Sequence, residues 1–300
     1  MEQQTTSFTA ESPPQPPPPK RKTPFFSRFA LFILITFIVW WFNNCTIKTV
    51  EETIYSDKIK NNIDIAVVSD FHAVDAPFAI TAKSVLDKID DAKPDLVCVL
   101  GDMHSLNASE KEKNISLNLM KDILKLGYPL YFVLGEHDDR TNEYVAKMEA
   151  NGINVLDGEK EIVKIKDSEL SLYGISNAYF SPSFDLTKKF NRKDDEFSIL
   201  MAHIPMYDAY ENFGADLTLC GDTHGGIIQL PLLGPAYFDD TVLPEILSNN
   251  EVYDKGMYKY KGGQMFITSG VGNAIKGRYA PVRFWNRPEI AIITLSPENE

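Results

Sequence analysis

Five short stretches of this 300-residue chain place carboxylates and imidazoles just after apolar runs. They are Asp70-Phe-His72, Gly101-Asp102, Gly135-Glu136-His137-Asp138, Ala202-His203 and Gly221-Asp222-Thr-His224. Four of the chain's five histidines lie in that set, and the fifth, His104, stands two residues past Asp102. In the last stretch, glycines let the backbone turn sharply, so Asp222 and His224 can aim at one point. Mixed oxygen and ring-nitrogen donors suit a borderline or hard divalent ion. Their number suits two ions sharing one carboxylate, an arrangement that clamps a phosphoryl group and generates a hydroxide near neutral pH. A single such histidine could be an ordinary hydrogen-bonded loop residue. Five clusters together call for metal chemistry.

The elements that must position these groups can be read from periodicity. "IDIAVVSD" (63–70), "DLVCVLGD" (95–102) and "YPLYFVLGEHDD" (128–139) read as buried strands ending in acid. Between them, 80–92 and 111–127 carry apolar residues at helical spacing, and Gly127 stops the second helix. This βαβαβ order predicts parallel strands with crossover helices, whose carboxyl ends gather the ligands. From residue 153 the texture changes to strands and turns: "EIVKIKDSELSLYGIS" reads as a hairpin, followed by "FSILMAHIP", "DLTLCGDTHGG", "MYKYKGGQMFITSG" and "PEIAIITLS". The expected class is α/β, two facing sheets with helices outside, in one domain over residues 62–300.

The first residues are of a different material. Residues 1–24 are polar and proline-rich and are expected to be a disordered cytoplasmic tail. Residues 25–44 are expected to be a transmembrane anchor, with Trp40 and Trp41 at the far interface. Lys20, Arg21, Lys22 and Arg28 all precede the apolar core of that span, which places the N-terminus in the cytoplasm and the catalytic domain outside. "WWFNNC" lacks the small residues that a cleaved signal peptide or a lipidated Cys45 would need. Residues 45–61 are expected to be a linker, so a chain starting near residue 50 should fold alone. The net charge of −12 argues against a nucleic-acid partner, whose phosphates require Lys and Arg. Three cysteines form no disulfide framework, and Cys98 and Cys220 read as small core residues.

With these residues in place, the order D-x-H, GD, G-x-H-D, H, G-x-T-H-G-G resembles that of the calcineurin-like metallophosphoesterases over about residues 62–297. The closing "GVGNAIKGRYAPVRFWNRPEIAIITL" and the "THGG…LP" block are similar to the membrane-associated bacterial phosphodiesterase subgroup, which lacks a large cap domain. The resemblance implies a four-layer sandwich and a dinuclear centre. Asp70, His72, Asp102 and His224 would hold the first ion, and Asp102 would bridge to a second held by Glu136, His203 and Asp222. His137 would face the phosphate as acid or transition-state donor, with Asp138 orienting its imidazole. Two ligands depart from the family pattern: Glu136 stands for the usual Asn and Asp222 for the usual His. They make the second site oxygen-rich and point to Mn, Fe or Mg there in preference to Zn. Ile227 stands where the subgroup often has Gln.

The resulting expectation is a membrane-anchored phosphoesterase that hydrolyses a phosphodiester, or a phosphomonoester, through a metal-bridging hydroxide. Its location points to an envelope or lipid-linked substrate. The alternative is a catalytically impaired family member acting as a membrane-tethered binding or scaffold protein. His104 is expected at the rim of the site or in solvent. Arg278 and Arg283 are expected to be surface or structural residues, with anion contact as the other reading.

Overall fold

A computed structural model describes residues 25–176, 184–248, 251–275 and 277–298. The proline-rich segment 1–24 lies outside the described residues. Helix α1 (Phe25–Cys45) covers the apolar run, is long and apolar enough to cross a membrane, and exposes its side chains from Phe26 to Val39. From Val39 onward the chain forms one compact unit.

Strand β1 (Lys48–Ser56) occupies the span expected to be a linker. It is an edge strand with one fully buried apolar side chain, Ile54, so its composition is close to that of a polar connector. The expected alternation then follows: β2 (Ile63–Val68), α2 (Ala82–Ala92), β3 (Leu96–Val99), α3 (Glu110–Lys125), β4 (Leu130–Phe132), α4 (Asn142–Glu149) and β5 (Asn154–Val155). Thr81 and Ser109 set the starts of α2 and α3, each accepting from the backbone N–H three residues on. The strands end before the acids that follow them, because Asp70 and Asp102 leave the extended region (φ 53° and 52°).

The second half supplies β6 (Glu159–Ile165), β7 (Ser168–Ile175), α5 (Leu186–Lys189), β8 (Phe197–Ala202), α6 (Tyr207–Phe213) and β9 (Leu217–Cys220). A flap of short pieces comes next: β10 (Gln229–Leu230), β11 (Gly234–Pro235), β12 (Tyr237–Phe238), β13 (Thr241–Val242) and α7 (Pro244–Leu247). The chain closes with β14 (Gly256–Tyr260), β15 (Gly263–Ile267), β16 (Ala274–Ile275), β17 (Arg278–Tyr279) and β18 (Glu289–Pro297).

Two six-stranded mixed sheets result, in the orders β1-β18-β2-β3-β4-β5 and β14-β15-β9-β8-β7-β6. Alternation along the strands gives each sheet two apolar faces. Ile63, Ile65 and Val67 point toward the second sheet and share a core with Leu170, Leu172, Ile199, Leu217 and Phe266. Ala66, Val68, Val97 and Val99 face the other way, against Val85, Ile89, Met120 and Ile123 of α2 and α3. On the far side of the second sheet, Leu200, Ala202 and Ile267 pack on Leu186 and Phe213. The fold is therefore the calcineurin-like four-layer sandwich, preceded by one apolar helix.

Candidate metal centre

The chemistry-bearing residues sit just beyond the carboxyl ends of β2, β3, β4, β8 and β9, where parallel strands of both sheets stop. Five of them leave the strands through left-handed backbone: Asp70, His72, Asp102, Asp222 and His224, with φ between 41° and 69°. Each such turn costs on the order of 1 kcal/mol or more and persists only where its surroundings hold it. Backbone bonds between the loops do this. Asp70 N–H donates to Gly101 O (3.0 Å), His72 N–H to Asp102 O (3.0 Å) and Gly221 N–H to His203 O (2.8 Å). Gly135 is required by close approach, since a Cβ there would lie 2.1 Å from Asp102 Oδ1.

Asp102 is at the middle. Its Oδ2 lies 3.4 Å from His203 Nε2, 3.6 Å from His72 Nε2 and 3.9 Å from His137 Nε2. Its Oδ1 accepts the backbone N–H of His137 at 2.8 Å. His224 Nε2 stands 3.7 Å from Asp70 Oδ1, and the rings of His72 and His224 stack at 5.2 Å. Among the described residues, three groups bring their ligand atoms within 4.8 Å of one another: Asp70 with His72 and His224, Asp70 with Asp102 and His203, and Asp102 with Glu136 and His137. Asp222 joins from the side, its Oδ1 3.8 Å from His203 Nε2.

Whether these residues fit metal ions can be tested on their hydrogen bonding. Asp70 Oδ1, His72 Nε2 and His203 Nε2 are all buried and have no hydrogen-bond partner. An orphaned buried polar atom costs ~1–3 kcal/mol, so three converging on one space are a poor way to build a hydrogen-bonded core. They are a good way to hold cations. His203 Nδ1 donates to Leu100 O at 2.7 Å, which leaves Nε2 as the atom that takes a proton or an ion, and His72 Nδ1 is 3.2 Å from Ser105 Oγ. The donor set fits the two-ion reading.

Electrostatics agree with that fit. Burial pushes Asp70 up to about 7 and His72 down to about 4, and burial holds His224 well below its ordinary value. Burial also opposes charge on His203, yet the Asp102, Asp70 and Asp222 carboxylates raise it well above the usual range. The field that would keep a proton on His203 is one that attracts a dication. His137 is raised by its hydrogen bond to Glu136, whose Oε1 is 3.2 Å from His137 Nε2.

Two expectations about the site need correction, and a third, a structural Arg283, is met. Asp138 does not orient the His137 ring. Its buried carboxylate accepts the backbone N–H groups of Asp102 (2.7 Å), Met103 (2.9 Å) and Gly135 (2.9 Å), stapling two ligand-bearing loops together. Three backbone donors stabilise a buried carboxylate better than one imidazole can. Glu136 is what touches His137. His104 is neither in solvent nor at the rim: it is buried, accepts from Asp139 N–H, packs its ring on Tyr144 and faces Asp138 at 3.6 Å. Arg283 is buried and structural, donating to the carbonyls of Ser269 and Gly272 (both 2.7 Å), with its guanidinium 3.4 Å from His224 Nδ1.

Arg278 is exposed and helps line a cavity of about 500 Å³ together with His72, Ser105, His137, Gly277 and Tyr279. Sequence reasoning did not pick out Ser105 or Gly277. A Cβ on Gly277 would lie 2.9 Å from the His137 ring, and a lone glycine among turn residues gave no hint of that contact.

The chain is similar to known proteins. The family model for calcineurin-like phosphoesterases matches residues 63–226. The chain is 30% identical over 266 residues to the uncharacterized metallophosphoesterase YkuE of Bacillus subtilis (strain 168), covering 84% of this chain and 87% of that protein. An uncharacterized metallophosphoesterase of Helicobacter pylori (strain J99) is 28% identical over 84% of this chain and 65% of its own length. Among solved structures, TT1561 of Thermus thermophilus shares 10% identity at a TM-score of 0.43, over 69% of this chain and 89% of that one.

Proposed function

Because the chain belongs to the calcineurin-like phosphoesterase family, we propose that it is a membrane-tethered phosphodiesterase whose two-ion centre is held by Asp70, His72, Asp102, Glu136, His203, Asp222 and His224. The observation that carries this reading is the convergence of three buried, partnerless ligand atoms on one space beside Asp102. Two divalent ions in that space would supply Lewis-acid activation of water and neutralise the non-bridging oxygens of the phosphoryl group.

The chain's own residues do the rest. Asp102 Oδ2, faced by His72, His203 and His137, is suited to being shared between the two ions. His137 presents Nε2 to the same space from a side chain that is 17% exposed, which suits a group that meets substrate and gives a proton to the leaving oxygen. Glu136 holds that ring, and Asp138 fixes the loop spacing beneath it. Four carboxylates (Asp70, Asp102, Glu136 and Asp222) formally offset two dications, which favours a singly charged diester over a doubly charged monoester. The same oxygen-rich set favours Mn²⁺, Mg²⁺ or iron over Zn²⁺ at the second position.

Basic residues ahead of the apolar span favour a catalytic unit on the outer side of the membrane, where an envelope or lipid-linked phosphodiester is the fitting substrate class. The test is metal analysis of the purified full chain followed by hydrolysis of bis-p-nitrophenyl phosphate with added Mn²⁺. Two ions per chain and a diester rate exceeding that on p-nitrophenyl phosphate are expected. A chain that binds no metal and hydrolyses neither compound would instead be the tethered binding protein.

A further inference from the structure

The loop that carries His224 runs directly into the flap of β10 to α7, and that flap is unusually apolar on its outside. Leu232, Leu233, Val242, Ile246 and Leu247 all expose their side chains, Leu232 completely. The flap is stitched to a second exposed stretch. Gln229 N–H donates to Phe284 O (2.9 Å), Ile228 bridges Phe284, and the Phe284 ring packs on Trp285, which is itself 61% exposed. Leucines, isoleucines and an aromatic ring concentrated this way are not scattered surface residues; such a patch marks an interaction surface.

What covers it is indicated by the end of α1. Trp40 Nε1 donates to Pro281 O (2.7 Å), and Asn44 exchanges hydrogen bonds with Arg283, donating to its O (3.1 Å) and accepting from its N–H (2.8 Å). The Arg287 guanidinium lies 4.1 Å from the centre of the Phe42 ring. The last residues of the apolar helix are thus bonded into the same 281–287 segment that carries Trp285 and supports the flap.

We infer that the β10–α7 flap and Trp285 insert into the outer surface of the same bilayer, docking the catalytic unit on the lipid headgroups. The inference rests on the anchor reading and goes beyond it. Residues 228–247 contain no Lys or Arg and three acids, Asp239, Asp240 and Glu245. Attachment therefore comes from apolar insertion and not from attraction to anionic lipid, so zwitterionic membranes suffice and salt has little effect. A Cβ on Gly226 would lie 2.5 Å from Pro235, so a docked flap holds the His224 loop close to headgroup level.

The experiment uses the full chain in phosphatidylcholine vesicles, with Cys45→Ser to remove the accessible thiol; Cys98 and Cys220 are buried. Nitroxide labels are attached singly at Leu232→Cys and Ile246→Cys, and at Lys164→Cys, a residue exposed on β6, as an aqueous control. Collision with a water-soluble nickel chelate should fall several-fold at 232 and 246 relative to 164, collision with oxygen should rise, and neither should change with added salt. Labels at 232 and 246 that remain as open to nickel as the control would overturn docking. So would spin coupling between copies that disappears on dilution with unlabelled chain, since a second copy would then occupy the patch. A chain that fails to sediment with vesicles would sink the anchor reading, whereas one that sediments with aqueous labels would sink docking alone.

Discussion

Asp102 and His137 face each other across 3.9 Å, yet they should fail differently when altered. Asp102→Asn removes the carboxylate on which His72 and His203 converge, so both ions should be lost together with activity. His137→Ala should keep most of the metal and lose turnover by ~10²-fold or more, the range for a missing acid or transition-state donor. Equal metal loss in the two variants, measured by elemental analysis, would overturn the division of roles. Glu136→Asn with Asp222→His removes two negative charges; it should shift metal preference toward Zn²⁺ and raise monoester kcat/KM relative to diester. An unchanged ratio and metal content would mean that Asp222 does not face an ion. That these side chains gather in one place was legible, because acids and imidazoles set just after buried parallel strands converge at the strand ends. Their supporting contacts were not. The family resemblance paired Asp138 with the neighbouring His137, whereas the fold turns the Asp138 carboxylate onto the N–H groups of another loop.

At the level of elements, strands buried on both faces were readable as continuous apolar runs, and the helices as amphipathic repeats between them. Strand β1 was not, because an edge strand needs few apolar side chains and its ladder partners lie at the other end of the chain. That matters for any shortened form. A chain starting at residue 50 loses Lys48, whose ammonium is 2.8 Å from the buried Glu289 carboxylate, and Asn44, which satisfies the Arg283 N–H and the Asn273 amide. Compared with a chain starting at Val39, it should unfold at lower urea, with a deficit of roughly 2–5 kcal/mol from the orphaned groups. Equal midpoints would show these contacts to be dispensable. Glu289 itself adds a pH signature. Burial works to raise it, but Lys48 and the Ser269 N–H hold it below its ordinary 4.5. A carboxylate depressed on folding contributes stability above its unfolded value and loses it as pH falls through the folded one. The gap in unfolding free energy between the native chain and Glu289→Gln should therefore be about 1–3 kcal/mol at neutral pH and shrink below about pH 4. A gap that is flat across this range would mean that the charge is not what stabilises the strand.

For the whole molecule, a net charge of −12 disfavours polynucleotide binding, and the leading helix is long and apolar enough to cross a membrane, which suits the tethered esterase proposed above. The second strand of one sheet joins distant parts of the chain: β18 lies between the edge strand β1 and β2, with Lys48 opposite Glu289 more than two hundred residues away. This order has a consequence for biogenesis. A ribosome makes β1 early and its partner last, so β1 must wait unpaired while nearly everything else is synthesised, and the first sheet cannot close until the final strand arrives. Pairings this distant in sequence are slow to form and leave strand edges open meanwhile. A chain terminated at residue 288 should stay protease-sensitive across the first sheet even with metal supplied, and resistance should appear when residues 289–297 are restored, in cis or as an added peptide. On the proposed topology that waiting period falls on the outer side of the membrane, so a folding helper resident there, and not one in the cytoplasm, would be the factor that limits yield.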